Sequence, residues 1–270
     1  MNERCVGLLG ATSLVGACLL PLLTQAGWRI TAFSRQPARP ADSAITWRQL
    51  SPHSEPGHIP YWICVAPIWA LPEYFTMLEG YGARRLVALS STSLFIKGDS
   101  SDPGEQNNAR QLAEGENALR AWAEAKGIEW VILRPTLIYG HGRDKNITEI
   151  ARFIRWFGFF PLLGPAHGLR QPVHAEDVAS ACLSALSASA ATNRAYNISG
   201  GQTLAYRDMV SRVFIALGDR PRLVTVPLWM FRIAIAILHR LPRYRHWTKA
   251  MAERMRRDLV FAHADAPRDV

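Results

Sequence analysis

The strongest constraint on this chain lies in ten residues near its start, Gly7-Leu8-Leu9-Gly10-Ala11-Thr12-Ser13-Leu14-Val15-Gly16. The apolar run from Cys5 to Leu9 predicts a buried strand, and Leu14, Val15, Cys18, Leu19, Leu22 and Leu23 then recur at helical spacing. Strand, glycine turn and helix in that order suit a dinucleotide pyrophosphate. Gly10 allows the tight turn, the small middle residue lets backbone approach the phosphates, and Gly16 lets helix pack close on strand. Unpaired N–H groups at the start of the helix face the anion. A glycine-rich strand-to-helix turn that binds nothing is the competing reading.

Downstream, strands are predicted over residues 28–33, 44–50, 61–66, 85–89 and 130–133. A short helix is predicted over 72–79 and a long amphipathic one over 107–126, stopped by Gly127. Pro21 lies inside the first helical pattern and predicts a kink there. Residues 51–60, with three prolines and two histidines, are too broken for a crossover helix. The alternation predicts an α/β fold, a doubly wound parallel sheet of Rossmann type with a small C-terminal lobe. The expected division is a dinucleotide-binding core over 1–140 and a substrate lobe over 141–270, as one structural unit.

At 270 residues, 49% hydrophobic and 20% charged, the chain has material for one large core. No signal peptide is read, because the first residues are polar and the apolar run after them is broken. Cys5, Cys18, Cys64 and Cys182 stand singly without metal-ligand spacing, which predicts buried thiols in a reducing, cytoplasmic setting. His141, His167 and His174 likewise give no metal site. The formal charge of +9 is concentrated between Arg222 and Arg257, where nine Lys/Arg face one acid, Glu253. Such a patch attracts nucleic acid, anionic lipid or a phosphorylated substrate; no nucleic-acid motif accompanies it, and no nucleic-acid partner is assigned. The apolar stretch 227–241 is too short to span a membrane. With the basic residues after it, 227–246 suits peripheral contact with anionic lipid, packing on the lobe, or a homodimer contact.

Six motifs in order carry a resemblance. They are the turn Gly10–Gly16, Ser90-Ser91, Glu116-x-x-Leu119-Arg120-x-Trp122, Leu133-Arg134-Pro135-Thr136-x-x-Tyr139-Gly140, Val173-His174-Ala175-Glu176-Asp177-Val178-Ala179 and Asn197-Ile198-Ser199-Gly200-Gly201. Together they resemble the NAD-dependent epimerase/dehydratase family, the extended or atypical branch of the short-chain dehydrogenase/reductases. The closing Asp265–Val270 resembles the start of a family motif that usually continues, so an early end is expected.

The resemblance implies roles. The backbone of Gly10, Ala11, Thr12, Ser13, Leu14, Val15 and Gly16 would cradle the pyrophosphate, with the Ser13 hydroxyl available to a phosphate. Relatives often carry an acid after the second strand; Ser34-Arg35 stands here instead, which suits a 2′-phosphate and so NADP, with NAD as second choice. A surface cation is the competing reading of Arg35. Ala66, Pro67 and Ser90 would flank the cofactor and Pro135 its nicotinamide end. Ser91 would position a substrate oxygen, with Ser93 beside it; Arg170 and His174 would meet a small-molecule substrate of nucleotide-sugar type, Arg170 gripping a diphosphate. His174 has a structural reading too, and Asp177 reads as a helix N-cap. The aromatic run 153–163 reads either as an apolar lid or as lobe core.

The family's usual chemistry also needs a tyrosine and, four residues later, a lysine on the same helix face, the ammonium lowering a phenol pKa otherwise about 10. Aligned on Glu116, those positions hold Asn108 and Leu112; a frame moved by two residues gives Gln106 and Arg110. No tyrosine in the chain is followed four residues later by lysine. Asparagine is no general acid or base near neutral pH, although Asn108 can hydrogen-bond a substrate carbonyl. Tyr139 is the substitute proton donor to examine, against a packing role; Lys97 and Arg110 depend on loop and helix face. Two functions stay open: an NADP-linked epimerase/dehydratase or ketoreductase, and a cofactor-binding scaffold, assembly factor or redox sensor without turnover.

Overall fold

The computed structural model describes residues 4–36, 44–51, 57–227 and 255–262. Its apolar runs become strands β1 (Cys5–Leu9), β2 (Arg29–Ser34), β3 (Ile45–Gln49), β4 (Tyr61–Cys64), β5 (Arg85–Leu89) and β6 (Glu129–Pro135). All of β5 is buried, as are the apolar residues of β6, because helices cover both faces of a parallel sheet. Helix α1 (Leu14–Gln25) continues through Pro21. A 3-10 segment, Ile68–Tyr74, leads into α2 (Phe75–Gly80), so helical structure begins before the expected residue 72.

Helix α3 (Pro103–Lys126) starts four residues earlier than the apolar spacing predicts. Asp102 supplies the reason: its carboxylate accepts from the amides of Gly104 (2.8 Å) and Glu105 (3.2 Å), with Pro103 in the first turn. Gly127, at φ +66°, ends the helix as expected. Inside α3, the buried Glu116 accepts from Arg134 Nε (2.8 Å) and Nη2 and from Arg120 Nη2 (2.8 Å). This ties the helix to the end of β6.

The chain then builds a lobe from β7 (Ile138–Tyr139), α4 (Ile147–Phe157), β8 (Phe160–Leu163), β9 (Leu169–Arg170) and β10 (Val173–His174). It next returns to the core. Helix α5 (Ala175–Ser187) packs on α1, and β11 (Arg194–Ile198) pairs in parallel with β6, Tyr196 opposite Leu133. The expected division at residue 140 is therefore crossed: residues between Val173 and Ile198 share a hydrophobic cluster with β1 and α1. The lobe is completed by β12 (Leu204–Ala205), α6 (Tyr206–Ala216) and β13 (Leu223–Val226), with Ile150, Phe153, Phe160, Val210 and Phe214 at its centre.

Sheet order is β11-β6-β5-β4-β1-β2-β3. Strands step one way from β1 to β3, and the chain then crosses back to place β4 on the other side of β1. That reversal leaves a crevice beyond the carboxyl ends of β1 and β4, where this architecture receives ligands. Cys18, Cys64 and Cys182 are buried thiols and Cys5 is partly buried; burial pushes the Cys64 thiol up to about 12.

Candidate functional site

Gly10 adopts φ +85°, and a Cβ there would lie 2.7 Å from the Ala66 nitrogen. A Cβ on Gly16 would lie 2.3 Å from the Gly10 carbonyl oxygen. Turn, helix and the end of β4 thus meet backbone to backbone, an approach only glycine permits. Ser13 caps α1: its hydroxyl accepts from the Gly16 amide at 3.0 Å, and its own amide donates to Gly10 O at 2.9 Å. The cap uses one lone pair of the Ser13 hydroxyl and leaves its proton able to donate toward the cleft that Ser13 lines. The amides of Leu14 and Val15 have no acceptor among the described residues, and both residues line a cleft of about 760 Å³.

Ala66, Pro67, Ser90, Ser91, Ser93, Pro135 and Arg170 line the same cleft. The Ser90 hydroxyl oxygen is buried with no hydrogen-bond partner among the described residues. Ser91 Oγ accepts from the Ser93 amide at 3.1 Å and caps the short 3-10 turn Thr92–Phe95, leaving its own proton free to donate. Asn108 and Leu112, one turn apart on α3, also face the cleft. They present an amide and a hydrocarbon to it. Lys97 lines the cleft, whereas Arg110 is turned to Asn107 Oδ1 at 2.6 Å.

Tyr139 and His174 are placed elsewhere. They line a second cavity of about 520 Å³, their rings edge to face at 5.2 Å, while Ile138 faces the cleft. Strand alternation dictates this: adjacent residues of β7 point to opposite sides. Tyr139 therefore does not join Ser91 and Asn108, which corrects its reading as their proton donor. His174 Nδ1 accepts from the Glu176 amide at 3.4 Å and so caps α5, the role expected of Asp177, which lies in the helix's first turn. Ser34 is buried and accepts from the Gln36 amide at 3.1 Å; Arg35 is exposed and does not line the cleft.

Arg170 is buried, and its guanidinium already donates to Leu169 O (2.7 Å) and Arg257 O (2.8 Å) and lies over the Tyr206 ring. Burial lowers its pKa and pushes the Tyr206 phenol up to about 12. Arg170 thus anchors residues 255–262, whose Leu259 and Phe261 wall the cleft. Leu259 N bonds Leu169 O at 2.9 Å and Phe261 N bonds Gln171 Oε1 at 2.8 Å. This wall is not legible in the sequence, because an eight-residue segment held by scattered main-chain and side-chain bonds leaves no periodic signal.

Arg143 carries no sequence signal either. It leaves the lobe to donate to Thr12 O at 2.9 Å and lines the cleft. Beside it, Asp144 is buried, which by itself raises a carboxyl pKa. Bonds from the Thr148 hydroxyl and from the amides of Thr148, Asn146 and Gly140 outweigh burial and hold the group below its ordinary 3.8. Its contribution to stability is full above that ordinary value and lost as pH falls through the lower folded one. Asp144→Asn is expected to cost about 1 kcal/mol at neutral pH and to flatten that acid limb, read by urea denaturation across pH.

Residues 74–199 match the NAD dependent epimerase/dehydratase family. UDP-glucose 4-epimerase of Vibrio cholerae is 24% identical over 163 residues, 56% of this chain and 49% of that protein. NADH dehydrogenase (ubiquinone) 1 alpha subcomplex subunit 9, mitochondrial, of Arabidopsis thaliana is 28% identical over 128 residues, 47% of this chain and 30% of that protein. The matches span half or less of these relatives' lengths. The structure of MoeE5 in complex with UDP-glucose and NAD superimposes with a TM-score of 0.65 at 20% identity, covering 82% of this chain and 85% of that one. Residues 74–199 are thus similar to the NAD dependent epimerase/dehydratase family, in a chain that shares the Rossmann-type fold of MoeE5.

Proposed function

We propose that this chain binds a nicotinamide dinucleotide, NADP in preference to NAD, and acts as an epimerase-like oxidoreductase on a nucleotide-sugar ligand. The observation that carries the reading is the main-chain cradle at Gly10–Gly16, with the unpaired Leu14 and Val15 amides opening on the cleft. The buried, unpartnered Ser90 hydroxyl is a second feature that a bound ligand would complete. When bound, the dinucleotide supplies hydride transfer. The chain's own residues orient: Ser91 donates to a substrate oxygen and Asn108 hydrogen-bonds a carbonyl or hydroxyl beside it. Arg143 ties lobe to turn, and Leu259 and Phe261 exclude water from the outer end. Arg170 shapes the substrate end through the strap it holds.

A second reading has its own support. Asn108 and Leu112, one turn apart on α3, occupy the cleft wall, and Tyr139 points away from it; Tyr206, Lys97 and Lys145 line the cleft from separate elements. A dinucleotide-binding scaffold without turnover fits that wall. One experiment separates the readings: calorimetric titration with NADPH and NADH, then hydride exchange against a panel of UDP-sugars. NADPH is expected to bind more tightly, and Arg35→Ala to remove the preference by about tenfold, the scale of one charge-assisted contact. Tighter NADH binding would overturn the role of Arg35. Exchange that Ser91→Ala reduces supports the enzyme; tight binding without exchange on any UDP-sugar supports the scaffold.

A further inference from the structure

The lobe presents an aromatic ledge that neither the cleft nor the lobe core uses. Helix α4 is apolar on one side, with Ile150, Phe153 and Ile154 buried, but its end and the turn after it, 155–159, are exposed throughout. Three of those five residues are aromatic: Trp156 is 72% exposed, Phe157 41% and Phe159 37%. The Phe157 and Phe159 rings stand 4.5 and 6.0 Å from the Phe153 ring, so the ledge is rooted in the lobe's core. The predicted lid-or-core run 153–163 therefore divides: Phe153, Phe160 and Leu162 pack inward and these three rings face solvent. Leaving such a patch in water is costly, which marks it as a contact surface.

Charge says what kind of contact. Strand β13 lies beside β8, Leu223 opposite Phe160, and the Phe160 amide bonds Arg222 O, which brings Arg222 next to the ledge. Across 147–163 and 217–227 the cations are Arg152, Arg155, Arg220 and Arg222 and the acids Glu149 and Asp219. Glu149 is already ion-paired with Arg152. From Pro227 the sequence runs on through Leu228-Trp229-Met230-Phe231 into a stretch with Arg232, Arg240, Arg243, Arg245, Lys249 and Arg254 against Glu253 alone; residues 228–254 lie outside the described part. Aromatic rings flanked by arginines match an anionic bilayer: rings enter the boundary between headgroups and acyl chains, while guanidiniums reach lipid phosphates on flexible stems.

We infer that the ledge Trp156-Phe157-Phe159, with Arg155 and Arg222, docks this protein on anionic lipid surfaces. The inference is independent of what the cleft binds. The test is co-sedimentation of the full chain with extruded vesicles of phosphatidylcholine alone, or with about one third phosphatidylglycerol. The protein is expected to pellet with the anionic vesicles only, and less as salt rises from about 0.1 M to 0.5 M. Trp156→Ser combined with Phe159→Ser is expected to lower the partition coefficient about tenfold, with the chain still folded by circular dichroism. Arg155→Glu with Arg222→Glu, a variant that leaves the rings in place, is expected to do the same. No pelleting with anionic vesicles, equal pelleting with neutral ones, or binding indifferent to both variants would overturn the inference. So would a concentration-dependent dimer that the ring variant dissolves, because a second copy would then be what covers the ledge.

Discussion

Glu116→Gln is expected to destabilise the protein by about 3–5 kcal/mol, the usual cost of removing one partner from a buried ion pair. The Glu116 side chain is 2% exposed and holds two guanidiniums, Arg134 at 14% and Arg120 at 33% exposure. Glutamine keeps the shape but offers one acceptor oxygen where there were two and removes the negative charge. Arg134, which cannot deprotonate, is then left without a counter-ion between α3 and β6; Arg120 can still reach water, so most of the cost falls on Arg134. Glu129→Gln is the contrast. Glu129 is half exposed, and its partner Arg85 keeps the Ala185 and Ala188 carbonyls and the Thr192 hydroxyl as acceptors. That change is expected to cost less than about 1 kcal/mol. Urea denaturation of the two variants checks the difference, and equal costs would show that Glu116 is not the tie between helix and strand.

Those residues also show what a single sequence discloses and what it hides. Glu116, Arg120 and Arg134 were visible as motif members, but not as one ion-paired cluster, because residues 18 apart meet only once the fold exists. The turn at Gly10–Gly16 was legible to the residue: its information is local, a matter of backbone sterics within seven positions. Strands β1 and β5 were legible for the same reason, as short apolar runs between turns. The start of α3 was misplaced because polar residues 104–107 conceal it, although the Asp102-Pro103 pair announces it. Tyr139 was misread for a different reason. Its place just after the sixth strand suggests the cleft, and only the pleat of β7, fixed by its pairing with β10, decides that Ile138 faces the cleft and Tyr139 does not. The return of β11 to the main sheet was hidden too, since a five-residue strand carries no sign of the partner it will pair with.

Gly16→Ala is expected to weaken NADPH binding by at least about a hundredfold, close to 2.7 kcal/mol. The added methyl would lie 2.3 Å from Gly10 O and 2.9 Å from two main-chain atoms of Ala11. All three are backbone, so no rotamer change relieves the clash; the first turn of α1 must move away from the loop, taking the Leu14 and Val15 amides with it. Ser13→Ala separates that effect from simple loss of helix stability. It removes the Ser13 cap on the Gly16 amide, at a cost of about 1 kcal/mol in folding, but adds no atom to the cradle. It also leaves the Leu14 and Val15 amides where they are and frees a third donor, so binding is expected to change by less than about tenfold. Calorimetry on both variants, with thermal melting beside it, reads the two quantities separately. If Gly16→Ala stays folded and binds as the parent chain does, the pyrophosphate does not sit on this turn. The remainder of the cleft, with Ser90, Ser91, Ser93 and Asn108 in its lining, would then need a different ligand to explain it.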